Sequence, residues 1–79
     1  MEGALFIASY VAHVKQQKFQ DAKEIIERTE YAEIPALDEK GKIVVVIDAP
    51  SEGLLLDTAE MIRGIDGMLS FLPVYQHAE

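Results

Sequence analysis

Cysteine is absent from this chain. That excludes thiol catalysis, disulfides and thiolate metal sites together, and leaves the redox compartment undecided by cysteine usage. Histidine is scarce: His13 and His77 are the only two, and neither has a second ligand of the right type at metal-binding spacing. Both read as polar strand-end residues rather than catalytic bases. Basic residues are half as numerous as acidic ones, seven Lys and Arg against fourteen Asp and Glu, which gives a net charge of −7 and a pI near 4.6. Such a surface repels phosphate backbones and anionic head groups, so nucleic acid is excluded as a partner. The acidity serves either solubility alone or the steering of a cationic ligand. No apolar run approaches the roughly 20 residues of a membrane span. The N-terminus, Met1-Glu2-Gly3, lacks the basic start of a secretory signal. A cytoplasmic protein without membrane insertion is therefore expected. Glycine-rich phosphate loops, a nucleophile elbow and a convergent acid–base pair are also missing, so the expectation is a non-enzyme without cofactor or metal.

What is present is apolar: 49% of the 79 residues are hydrophobic and 27% charged, enough buried surface to offset chain ordering in one domain spanning residues 1–79. Leu5 to Val14 (LFIASYVAHV) is rich in β-branched and aromatic residues and reads as a central strand. From Gln17 to about Glu30, Phe19, Ala22, Ile25 and Ile26 recur at helical spacing, with Asp21, Lys23, Glu24, Glu27 and Arg28 on the solvated side. Tyr31 to Leu37 reads as a second strand, turned by Asp38-Glu39-Lys40-Gly41 into a third, Ile43 to Ala49. Ser51 then caps a helix to about Ile65, with Leu55, Ala59, Ile62 and Ile65 on its apolar stripe. Met61 and Met68 read as core residues, and Gly64 and Gly67 bracket the helix end. Met68 to Gln76 (MLSFLPVYQ) returns to strand composition.

The order β, α, β, β, α, β predicts an α+β, ferredoxin-like βαββαβ fold: a four-stranded antiparallel sheet of order 4-1-3-2 with two helices on one face. Proline tests this order, because it cannot donate to a ladder and is tolerated mainly on edges. Pro35 and Pro73 fall in the second and fourth strands, the predicted edges. With both helices on one face, the other is left open, and an open apolar face calls for a partner. Parity places Ala8, Tyr10, Ala12 and Val14 toward the helices and Ile7, Ser9, Val11 and His13 on the open side. Val44, Val46 and Asp48 of the third strand join them. For the fourth strand, where a bulge after Gly67 would shift parity, the predicted open residues are Ser70, Leu72, Val74 and Gln76. These eleven residues form the candidate peptide-binding floor, with Asp48 the best placed to receive a guanidinium.

Several segments also resemble one family: IASYVAHVK (Ile7 to Lys15), GKIVVVIDA (Gly41 to Ala49), LLDTAEMIRGIDG (Leu55 to Gly67) and the ending MLSFLPVYQH. The passage into the last strand and the terminal V-Y-Q-H look like signatures of the NapD family. The chain departs from the family pattern at Pro73, where a Leu is usual, and at Gln76, in place of the first terminal His. It departs again at TEYAEI, where P-G-V-E-V is common. The resemblance implies a cytoplasmic chaperone for the twin-arginine (Tat) signal peptide of the periplasmic nitrate reductase NapA, delaying export until the molybdenum cofactor is inserted. It would act as a monomer or weak dimer. An alternative from another class is an ACT-like module, which binds a small regulatory molecule through side-by-side dimers of the same fold.

Overall fold

A computed structural model of the chain describes residues 6–74. Strand β1, Phe6–Val14, leads through a 3-10 turn at Gln16–Lys18 into helix α1, Phe19–Arg28. Strands β2, Ala32–Asp38, and β3, Lys42–Ala49, form the hairpin, followed by helix α2, Glu52–Arg63, and strand β4, Met68–Pro73. The sheet order is β2-β3-β1-β4 with every pair antiparallel, the predicted 4-1-3-2 order read from the other edge.

The central ladder pairs Phe6 with Ala49 through His13 with Lys42 without a break in register. Along it side chains alternate: Tyr10, Ala12, Val14, Ile43, Val45, Ile47 and Ala49 are buried under the helices. They meet Phe19, Ala22 and Ile26 of α1 and Leu55, Ala59 and Ile62 of α2. Phe71 of β4 stacks on Tyr10 with ring centroids 4.5 Å apart and planes 9° from parallel. Two residues expected in the core lie elsewhere. Ile25 is 43% exposed at the margin of the α1 stripe, one residue before the fully buried Ile26, where the helical turn carries it toward Asp21 and Arg28. Met61, adjacent to the fully buried Ile62, is 53% exposed, while Met68 packs partly buried against the core as expected.

Local chemistry sets the element ends. The Ser51 hydroxyl accepts the Leu54 amide at 3.1 Å, the predicted N-cap, and α2 stops at Gly64, whose N–H reaches the Glu60 and Met61 carbonyls. Helix α1 ends at Thr29, whose hydroxyl donates to the Ile25 carbonyl at 2.7 Å. Tyr31 then takes a left-handed φ of 74°, so β2 starts one residue later than the sequence pattern suggested. Pro35 sits within a register shift of edge strand β2, between Glu33 and Ala36, and Pro73 ends edge strand β4.

Gly41 closes the hairpin at φ 125°, and a Cβ there would lie 2.7 Å from the Val14 carbonyl oxygen, whose own amide donates to the Gly41 carbonyl. Gly41→Ala is expected to destabilise the chain by about 1–3 kcal/mol, read as a lower urea midpoint, because both φ and a backbone contact oppose the methyl group. A second prediction concerns the loop before β4. Lys18 Nζ lies 3.0 Å from Asp66 Oδ2. Hydrogen bonding and charge from Lys18 hold the Asp66 carboxyl below its ordinary value, and those from Asp66 raise the Lys18 amine. The pair stabilises above the ordinary carboxylate value, is lost as pH falls through the lowered Asp66 value, and fades again as pH rises through the raised Lys18 value. Asp66→Asn is therefore expected to melt below wild type between roughly pH 4 and 10 and to converge with it at lower pH. Both exposed groups make the difference small and salt-sensitive.

Candidate functional site

On the face away from the helices, register turns the predicted residues into rows across the sheet. One row runs Glu33, Val46, Ser9, with Val74 continuing it through its N–H to the Ser9 carbonyl at 2.8 Å. The next runs Ala36, Val44, Val11, Leu72, and the third Asp38, Lys42, His13, Ser70. Ile7 faces Asp48 at the far end. The expected shift in β4 falls at Leu69: His13 pairs with Ser70 and Val14 with Met68, so Leu69 has no partner across the ladder. The structure thus gathers Ile7, Ser9, Val11, His13, Val44, Val46, Asp48, Ser70, Leu72 and Val74 on one side. Gln76, and with it His77, lies outside the described residues.

The floor is apolar at its centre. Val11, Val44 and Val46 are half-buried by one another, while Ile7 and Leu72 stand 58% and 62% exposed. A contiguous exposed apolar surface of this kind is unusual for a face left to solvent, which makes it the candidate site. His13 Nδ1 meets the Ser70 hydroxyl at 3.1 Å, which ties the third row together and engages the one described histidine. Among the described residues no group of His, Asp and Glu could hold a metal ion. The grooves found among these residues are open surface features, one of them lined by Ala36, Leu37, Asp38, Lys42 and Val44 at the hairpin end of this face.

Both described sheet edges carry features that hinder pairing with an incoming strand. Because Val74 donates to Ser9, the backbone groups of Phe71 and Pro73 point away from β1. Pro73 has no donor, and Arg63 Nη2 donates to the Phe71 carbonyl at 3.2 Å while Nη1 binds Glu60 at 2.8 Å. Edge strand β2 carries Pro35 and its register shift. Both edges are thus blunted by devices with which natural sheets avoid pairing with another chain.

Four face residues were not among the predicted set: Glu33, Ala36, Asp38 and Lys42. Lys42 was accessible to parity, being two residues before Val44. The three residues of β2 were not, because the irregularity between Glu33 and Ala36 breaks the alternation. Asp48 is half-buried, its N–H donating to the Tyr31 carbonyl at 2.9 Å. Its carboxylate and that of Glu33 make no ion pair with any described residue.

A four-stranded antiparallel sheet of order 4-1-3-2 backed by two helices, with an apolar front and blunted edges, defines a small ferredoxin-like α+β domain. The NapD protein family matches residues 5–79, and the chain belongs to the NapD family. It is 43% identical over 51 residues to Chaperone NapD of Haemophilus influenzae, a stretch covering 63% of this chain and 55% of that protein's length. The solution structure of the E. coli Tat proofreading chaperone protein NapD is similar at a TM-score of 0.88 and 25% identity, covering 100% of this chain and 84% of that one. Membership of this family replaces the ACT-like alternative.

If the open face serves recognition rather than folding, trimming it should leave stability intact. Leu72→Ser is expected to change unfolding free energy by no more than about 0.5 kcal/mol in urea titration, whereas Phe71→Ala, one residue away and buried against Tyr10, should cost about 3–5 kcal/mol.

Proposed function

We propose that this chain is a cytoplasmic maturation chaperone that binds the twin-arginine signal peptide of a NapA-type periplasmic nitrate reductase and delays its export until the molybdenum cofactor is inserted. The observation that carries this reading is the apolar row Ala36, Val44, Val11, Leu72 on a sheet face that no described element covers, beside two carboxylates without ion-pair partners among the described residues. A Tat signal peptide is a basic segment followed by an apolar one, the chemical complement of that surface. Relatives named as NapD chaperones, one described as a Tat proofreading chaperone, support the same reading.

With both edges blunted, the peptide lies on the sheet and presents the apolar side of a helix to Val11, Val44 and Leu72. Each Val or Leu it buries contributes about 1.5–3 kcal/mol, most of which is offset by the loss of translational and conformational freedom. Guanidinium groups add bidentate hydrogen bonds to carboxylates, which an ammonium cannot reproduce. While bound, the peptide is withheld from the export machinery, and the delay is set by its dissociation rate. The described residues of one copy of the 1–79 domain supply these rows, which fits action as a monomer or weak dimer.

Calorimetric titration of the protein with a twin-arginine signal peptide tests this directly. Binding is expected to weaken by about tenfold when both arginines are replaced by lysine, to weaken further with added salt, and to be lost in Leu72→Asp, which places a charge in the apolar row. Absence of binding to the arginine peptide would overturn the assignment.

A further inference from the structure

Charge is distributed unevenly along the open face. At one end stand Asp48 and Glu33, two carboxylates with no lysine or arginine in their rows. At the other end Lys42 faces His13 across β1 and Asp38 across β2. Asp38 turns its Oδ1 to the Lys40 amide at 3.0 Å, and no ion pair joins it to Lys42. Asp48 lies six residue steps along β3 from Lys42, about 20 Å of strand, with Val46 and Val44 between them. That distance equals about 13 residues of α-helix, so a peptide helix aligned with β3 would span both ends at once.

From this asymmetry we infer that the face is directional: a bound peptide with a cationic start and an apolar continuation lies with its arginines at the Asp48–Glu33 end and its apolar segment over Val44 and Val11, toward Lys42. The inference rests on the peptide-binding reading above and adds an orientation to it. Reversal would place two guanidinium groups beside the exposed Lys42 ammonium, whose charge opposes them and offsets the neighbouring Asp38 carboxylate, and would leave Asp48 and Glu33 facing apolar side chains. Attraction at one end and repulsion at the other both select the same direction. Lys42 is thus a specificity residue that acts by rejecting the wrong orientation.

Spin labels read the direction. A nitroxide placed immediately before the arginine pair of a twin-arginine signal peptide is expected to broaden the amide signals of Ile7, Glu33 and Asp48 more than those of His13 and Lys42. A label at the peptide's far end should reverse the pattern. The double variant Glu33→Gln, Asp48→Asn should weaken binding by about tenfold or more, and Lys42→Glu, which makes both ends acidic, should even out the broadening from the first label. Binding with the reverse pattern, or with equal broadening in the wild-type protein, would overturn the orientation while leaving peptide binding in place. A peptide that shifts no amide signal would overturn the peptide-binding reading itself, and the orientation with it.

Discussion

The structure depends on the unbroken pairing of β1 with β3. These two strands are central, each is covered on one face by helices, and their register from Phe6–Ala49 to His13–Lys42 admits no slip. A shift by one residue would expose Tyr10, Ala12, Ile43, Val45 and Ile47 and push Ser9, His13, Lys42 and Asp48 beneath the helices. The cost of burying those polar groups is what sets the two faces apart. Everything outside the ladder inherits that division. The helices take the apolar side, and the remaining face is left with valines too few to form a second core yet too contiguous for an ordinary wet surface.

The peripheral contacts secure that arrangement without covering the front. Arg63 reaches from α2 over the ring of Phe71, with its guanidinium carbon 5.6 Å from the centroid, and also occupies the Phe71 carbonyl. One side chain thereby fastens β4 to the helix layer and closes part of the sheet edge. Lys18 and Asp66 join the start of α1 to the loop that feeds β4. Gly67, at φ 94°, lets that loop pass where a Cβ would collide with Lys18. These ties lie behind or beside the sheet. The surface that faces outward is left uncovered by the chain's own described elements, as the proposed binding role requires.

Much of this was legible from residue order. β-Branched and aromatic composition in Leu5 to Val14 and Ile43 to Ala49 identified both central strands, and strand parity then separated their inner and outer residues. Proline positions separated edge from centre. What pattern alone missed followed from geometry that has no local signal. Ile25 and Met61 are apolar neighbours of the fully buried Ile26 and Ile62, yet one residue of helical rotation turns them out to solvent. The contributions of Glu33, Ala36 and Asp38 to the face depend on the irregular backbone around Pro35, which resets parity in a way that composition does not announce.

By itself, then, the order of residues determined the element succession, the strand order and the alternation that separates a packed face from an open one, because these follow from side-chain period, turn chemistry and the exclusion of proline from inner strands. Tertiary structure decided which charges share that open face. Glu33, Lys42 and Asp48 come from two strands and meet there only through register, and the guanidinium that closes an edge belongs to a helix eight residues from the carbonyl it binds. Electrostatic direction across the sheet is a property of distances between strands, and those distances exist only once the chain has folded.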